Sequence, residues 1–226
     1  MGIRCGSYVF ETPSMKNQPI IIVGAGGLGK ATLDIFQSNQ VVVYCFLDDN
    51  EALHGTEIND VSVLGATEDP TYLAMVGKKC NAFVAINDRS VRQSYFKLLK
   101  EQHQVMPTNA LHQRATVSET AYLSYGIFAN AGVVVGSYAR IEEGCLLHTN
   151  AVVDYEAKLG KFVHLGAGSV VHAGAEVEDN AFIGAGVTIA GPLKIGKGAR
   201  VGAGSVVIEP VKAGTTVFGN PAQAVG

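Results

Sequence analysis

The sequence predicts a small parallel α/β domain followed by a parallel β-helix, on three observations. The second half keeps a strict six-residue period, the first half alternates strand-like and helix-like runs, and glycine gathers in two places, residues 24–29 and from Gly126 onward. Glycine makes up 27 of 226 residues, about 12% against a usual ~7%, so each gathering needs its own physical cause.

The segment 1–14 is atypical. Met15 directly precedes the first strand pattern, so that segment reads as an upstream start or an artificial extension. Ile20, Ile21, Ile22 and Val23 form a short buried-strand run, GAGGLG follows at residues 24–29, and residues 30–36 have helical periodicity. A second strand at 41–47 ends on Asp48 and Asp49. A third, at 82–86, is followed by an Asn87-Asp88 cap and the helical pattern Val91, Tyr95, Leu98, Leu99. Strands alternating with helices imply a small parallel sheet. The break falls near residues 107–114 and divides the chain into domains at 15–110 and 111–226.

Every sixth residue from Val117 to Val207 gives sixteen positions, fifteen of them Val, Ile or Leu. A second small or apolar series lies four places on in each hexad, from Ala121 to Val211, and the sixteen hexads run from 117 to 212 without an insertion. Neither a helix, with period 3.6, nor an ordinary strand, with period 2, sustains a period of six. A parallel β-helix does, with one hexad per flat face and three per coil. Each aliphatic residue then stacks on its equivalent three hexads later, in about five coils at the ~4.8 Å strand spacing. Glycine directly after the aliphatic residue, at Gly136, Gly160, Gly166, Gly184, Gly196 and Gly202, is expected to relieve a crowded corner and to supply an unusual φ.

Composition excludes several classes. A chain 47% hydrophobic and 16% charged is not a disordered tail. With 17 basic against 20 acidic side chains and no basic cluster, nothing displaces counterions from a nucleic acid. No apolar run approaches the ~20 residues of a membrane span, and the segment 1–15 lacks a signal-peptide core. Cys5, Cys45, Cys80 and Cys145 form no CxxC pair, so neither a zinc ribbon nor a disulfide framework is indicated, and a cytoplasmic, reducing setting is expected.

Gly24, Gly26 and Gly29 stand as GxGxxG between strand and helix, with Asp48 and Asp49 about 20 residues on, the context of a Rossmann-like nucleotide site. Such glycines let the backbone approach a phosphate at a helix N-terminus. The domain before the repeat is about half a full dinucleotide domain, so a nucleotide or nucleotide sugar suits it better than a redox cofactor. A tight glycine turn without a ligand is the competing account.

The two halves together resemble the bacterial hexapeptide-repeat sugar acetyltransferases of the sialic acid O-acetyltransferase and nucleotide-amino-sugar N-acetyltransferase group. The resemblance covers the chain from about Met15 and is carried by IIIVGAGGLGKATLDIF, FLDD, VAINDRSVR, KFVHLGAGSVV and VFGNPA. It implies a left-handed β-helix, a homotrimer with acetyl-CoA in the cleft between subunits, and an amino- or hydroxy-sugar nucleotide held by the N-terminal domain. By the resemblance, the substrate contacts fall on Gly26, Gly27, Leu28, Asp48, Asp49, Asn87 and Arg89. Leu28 replaces the histidine usual in the glycine loop. His164 corresponds to the histidine that meets the acetyl end, and Ala185 and Ala203 to backbone contacts with the thioester arm.

One departure concerns the chemistry. The family's histidine base falls on Tyr155, within Asp154-Tyr155-Glu156-Ala157. A base near pKa 7 supplies roughly 10²–10⁴-fold, and tyrosine, near pKa 10, is a poor replacement. Asp154 and His172 stand three hexads apart and are expected to stack as a carboxylate-oriented imidazole, while His148 and His164 are expected to share a corner. The candidate catalytic residues are therefore His148, His172, Asp154, Tyr155 and Glu156. The reading is an acetyl-CoA-dependent acetyltransferase that N-acetylates a nucleotide-linked amino sugar in surface-polysaccharide or glycan biosynthesis, with a sialic-acid-type sugar O-acetyltransferase, or a base-less sugar-nucleotide or acyl-CoA binder, as alternatives. A zinc hydratase built on His148, His164 and His172 is a third reading, but no HxxxxH-like pair accompanies them, and no metal site is assigned.

Overall fold

The computed structural model describes residues 18–225, so the expectations for residues 1–14 and Met15 lie outside the described residues. The N-terminal part runs β1 (Ile20–Val23), α1 (Gly27–Ser38), β2 (Val43–Leu47), β3 (Glu57–Ile58), β4 (Val61–Gly65), α2 (Pro70–Leu73), β5 (Asn81–Val84) and α3 (Arg89–Gln102). The sheet order is β3-β4-β2-β1-β5, parallel except for the β3–β4 hairpin. This hairpin is absent from the sequence reading. It turns on Asn59 and Asp60, both at positive φ, residues that tolerate the left-handed region better than most.

Side chains of β1 alternate between two cores, as the pleat requires. Ile20 and Ile22 pack with Leu33, Ile35 and Phe36 of α1. Ile21 and Val23 pack on the opposite side with Tyr95, Phe96 and Leu99 of α3. The two helices thus cover opposite faces, and the chain reverses its winding between the neighbouring strands β1 and β5. That is the topological switch point, where the carboxyl ends of parallel strands open a crevice. The buried face of α3 is Arg92, Tyr95, Phe96 and Leu99. It is rotated from the pattern read in sequence, which placed Val91, 44% exposed, in the core, because a buried arginine does not register as apolar.

From Ala110–Leu111 onward, two-residue strands follow at six-residue spacing, and each pairs in parallel with its equivalent one coil away. Three flat faces result. Face 1 carries Phe128–Ala129, Leu146–Leu147, His164–Leu165, Phe182–Ile183 and Arg200–Val201. Face 2 carries Val134–Val135, Val152–Val153, Val170–Val171, Thr188–Ile189 and Val206–Val207. Face 3 carries Tyr122–Leu123, Arg140–Ile141, Lys158–Leu159, Glu176–Val177 and Lys194–Ile195. The second residue of each pair and the alanine-rich second series fill one continuous core.

Two details differ from the sequence reading. The last turn is shorter than a full coil: Val211 bridges Ile195 and Thr216 pairs with Arg200, places that an unbroken period would give to Ala213 and Phe218. The final hexad is therefore clipped at Ile208, Glu209 and Pro210. The glycines after the aliphatic position also answer to crowding alone. A Cβ on Gly136, Gly160, Gly166 or Gly184 would meet backbone of the next coil at 2.5–2.6 Å. Positive φ falls two places later, at Gly132, Gly144, Gly168, Gly186 and their equivalents, and at Tyr138, Asn150, Glu156, Phe162 and Asn180. Gly166→Ala is accordingly expected to lower unfolding stability by about 1–3 kcal/mol, read by urea denaturation. Gly26→Ala, where the added methyl meets nothing within 4 Å, should leave it unchanged.

Candidate active site

The glycine loop leaves β1 beside the segment that leaves β5, because Val23 pairs with Val84. Its four glycines divide into two kinds. A Cβ on Gly24 would strike the Ala85 carbonyl oxygen at 2.7 Å, and one on Gly29 would overlap the Gly24 carbonyl, so these two are required by packing. Gly26 and Gly27 have no atom within 4 Å of an added Cβ. They start α1, whose N-cap has no side-chain hydrogen bond, and the first-turn N–H groups are open to a ligand acceptor. Leu28 is buried in the core against α1, so position 28 offers a ligand only its backbone.

Asp48 and Asp49 shape this rim. Asp48 accepts from the Ala25 N–H at 2.7 Å with Oδ2 and from Asn50 with Oδ1. Asp49 Oδ1 accepts from the Thr67 N–H and hydroxyl, and Thr67 is bonded in turn to the Tyr95 hydroxyl.

The β-helix meets the N-terminal domain through face 1. Phe128 and Leu146 are fully buried against the α1 core, and Phe96 of α3 packs edge-on against Phe162 at 5.0 Å. Above this contact the two parts separate into a cleft of about 420 Å³ lined by Asn87, Arg89, Arg92, His164, Phe182 and Arg200, among others. Arg89 Nη1 donates to the Asn180 carbonyl at 2.6 Å and Gln93 Nε2 to the Asn180 side chain, which pins α3 to the corner between faces 3 and 1.

The outward-facing face-1 residues Phe128, His164 and Phe182 stack in a column with His148, which enters from the adjoining corner. Phe128 lies 5.7 Å from His148, His148 4.6 Å from His164, and His164 4.6 Å from Phe182, which in turn carries the Arg200 guanidinium at 4.8 Å. His148 and His164 therefore share one ring column, as their spacing predicts. Burial, and secondarily the charge of Arg92, holds the His148 pKa below the ordinary histidine value. Burial, then His148, pushes His164 down to about 4. Both are neutral at pH 7, and His148 Nε2 is buried without a hydrogen-bond partner. The same coupling makes stability depend on pH. The unfolded chain binds the His164 proton near pH 6.5 and the folded chain only near 4, so stability falls as pH drops across that window. His164→Phe should flatten the decline, as read by melting temperature from pH 7 to 4.

Ala185 and Ala203 are exposed on the corner between faces 1 and 2, the corner that also bears His148, and their backbone lies over Gly166 and Gly184. Small residues there leave a smooth strip along the corner. Asp154, Tyr155, Glu156 and His172 lie on another corner, between faces 2 and 3. The expected Asp154–His172 pair does not form. Asp154 Oδ1 instead accepts the Tyr155 N–H at 2.7 Å, a one-residue contact that a short carboxylate at a corner makes more readily than a reach to the next coil. Tyr155 is 55% exposed. His172 also stands away from the His148–His164 column, and among the described residues no group of three His, Cys, Asp or Glu is placed to hold a metal.

Sequence reasoning missed Arg92, Phe182 and Arg200. The last two were available from the coil-by-coil stack above His164. Arg92 was hidden at a core position of α3.

Residues 19–99 match the model of the PglD N-terminal domain, and residues 156–191 and 174–209 match the bacterial transferase hexapeptide (six repeats). No curated protein matches in sequence. Among solved structures, PerB from Caulobacter crescentus, in complex with CoA and GDP-perosamine, is 29% identical over 92% of this chain and 97% of its own, with a TM-score of 0.84. The acetyltransferase domain of PglB from Neisseria gonorrhoeae, in complex with acetyl coenzyme A, is 26% identical over 92% and 100%, with a TM-score of 0.85. WeeI from Acinetobacter baumannii is 26% identical over the same shares, with a TM-score of 0.74. The chain thus carries the PglD N-terminal domain and the bacterial transferase hexapeptide, with an α/β domain and a left-handed parallel β-helix in the same order as in these sugar acetyltransferases.

Proposed function

We propose that the protein transfers the acetyl group of acetyl-CoA to the amine of a nucleotide-linked amino sugar. The observation that carries this is that the cleft between α3 and face 1 is lined by His164, whose ring stacks on that of His148, while Gly26 and Gly27 leave open space at the start of α1. Residues 15–110 hold the nucleotide sugar, with Asp48, Asp49, Asn87 and Arg89 at the rim. Residues 111–226 hold acetyl-CoA. Complexes of PerB with CoA and GDP-perosamine and of PglB with acetyl coenzyme A support both assignments.

The amine nitrogen attacks the thioester carbonyl and forms the C–N bond. The C–S bond then breaks and coenzyme A leaves as its thiolate. His148 Nε2 takes the amine proton, and the imidazolium so formed returns it to the thiolate, giving the thiol and restoring the neutral ring. His164 meets the acetyl end, and a backbone N–H steadies the oxyanion. The fate of this reading rests on thiol release from acetyl-CoA in the presence of 4-amino sugar nucleotides. Release well above the acceptor-free rate is expected; none with any of a panel that includes sialic acid would sink it. Release with sialic acid alone would instead identify an O-acetyltransferase, the reading that a hydroxyl acceptor supports. Tyr155 at the family's base position favours one further alternative, a binder without turnover, which predicts tight acetyl-CoA binding and no gain from Tyr155→His.

The assembly we propose is a homotrimer built on face 2, in the cytoplasm where acetyl-CoA is made available. The outward residues of this face are Thr116, Val134, Val152, Val170, Thr188 and Val206, an uncharged strip. Face 3 instead presents Tyr122, Arg140, Lys158, Glu176 and Lys194. With face 2 turned to a threefold axis, the corner bearing His148, Ala185 and Ala203 of one subunit meets the corner bearing Asp154, Tyr155, Glu156 and His172 of the next.

A further inference from the structure

We infer that Arg200, with Arg89 and the N-terminus of α3, forms an oxyanion site in the interdomain cleft, separate from the glycine loop, that recognises a phosphate or carboxylate of the acceptor. This inference rests on reading the cleft as the acceptor site. Three guanidinium groups line it, those of Arg89, Arg92 and Arg200. Among the described residues none has a carboxylate within ion-pair distance. Elsewhere on the same β-helix, Arg140, Lys161 and Lys194 have a carboxylate partner, at 3.7, 3.0 and 2.6 Å, and Arg114, Lys158, Lys197 and Lys212, which among the described residues have none, are exposed on the surface, so the cleft is where unpaired guanidinium groups gather. The single acid on the lining, Asp88, uses Oδ1 to cap the Val91 N–H.

Two further features converge on the same space. α3 is 14 residues long, and its Arg89 and Ser90 N–H groups precede the capped Val91, so its positive end faces the cleft. Arg92 is 2% exposed and donates with Nη1 to the Ile86 and Asn87 carbonyls. Its buried Nε finds no partner. A fully buried guanidinium with an unused donor, lacking a carboxylate, is costly unless an anion completes it.

Arg200 is the member best placed to select a ligand. It is exposed, and its guanidinium rests on the Phe182 ring at 4.8 Å, which orients the planar fork without using its hydrogen bonds. Arg89, by contrast, already holds the Asn180 carbonyl. The anion would sit beside His164, so it belongs to the sugar end of the acceptor or to the diphosphate next to it.

The test is calorimetric titration of wild type and Arg200→Gln, at constant ionic strength, with inorganic pyrophosphate, glucuronate and neutral glucose, melting temperature confirming the fold. At least one anion should bind while glucose does not, and R200Q should weaken that anion by about tenfold or more. Arg200→Lys should restore part of the affinity, since it keeps the charge and loses the fork. An effect confined to pyrophosphate places the nucleotide diphosphate on Arg200, and one confined to glucuronate places a sugar carboxylate there. Equal affinity in wild type and R200Q, or no anion binding by wild type, overturns the inference. Anion binding lost in R200Q in a protein that never releases thiol from acetyl-CoA would leave the oxyanion site standing and remove the catalytic reading, so the two fail separately.

Discussion

His148→Gln is expected to lower the rate of acetyl transfer by roughly 10²–10⁴-fold while leaving acetyl-CoA binding and the fold intact. Glutamine approximates the length of the ring and can fill its place between Phe128 and His164, so the loss is chemical. The assignment rests on the state of the nitrogen. A base must hold a free lone pair at working pH, and His148 Nε2 is buried without a donor to occupy it, in a ring whose pKa burial and Arg92 hold down. The sign of the pH dependence follows. Because the unprotonated ring is the active form and its pKa lies below the usual 6.5, kcat/KM should stay level as pH falls through that value and decline only below it. His172→Ala, on the other corner and without an oriented carboxylate, should cost far less. Full activity in H148Q together with its loss in Tyr155→Phe would transfer the role to Tyr155.

Most of the scaffold was legible because a six-residue period admits few structures, and it places residues as well as elements. A step of three hexads sets Leu146 beside His164 and Arg200 above Phe182. The period locates a residue on a corner but does not fix its rotamer, which is why Asp154 and His172 share a corner without forming a pair. It also marks glycine without saying why: positions such as Gly166 and positions such as Gly168 look alike in sequence, although a clash with the next coil dictates one and positive φ the other. In the N-terminal part the β3–β4 hairpin was lost because two-residue and five-residue strands separated by Asn59 and Asp60 carry little periodicity. Arg92 was lost because a charged residue at a core position reads as surface. The glycine loop was visible as a motif, yet only the structure separates Gly24 and Gly29, held by packing, from Gly26 and Gly27, which face open space.

Val152→Lys is expected to convert the proposed homotrimer to monomers and to abolish acetyl transfer, although Val152 lies outside both proposed substrate sites. Each coil of the prism offers one outward side chain per face. Face 1 is covered at Phe128 and Leu146 by the N-terminal domain, and face 3 is solvated by charges at Arg140, Lys158, Glu176 and Lys194. Face 2 alone presents valine and threonine throughout, with Val134 40% exposed in the single chain. A strip of β-branched residues on a parallel sheet has no solvation to lose and buries well against its own copy. Three lysines brought together at a threefold axis would meet without counter-charges, a desolvation and repulsion cost of several kcal/mol. The chain of each monomer should still fold, since the Val152 side chain points away from the continuous core that Val153 enters. Separation would remove the neighbouring corner, with Asp154, Tyr155 and Glu156, from the His148 corner, so activity should vanish with the trimer. Lys158→Val on face 3 is the matched control and should change neither mass nor rate. Light scattering and thiol release measured on both variants decide the matter: a Val152→Lys protein that remains trimeric removes face 2 as the interface, and one that is monomeric yet fully active removes the shared site.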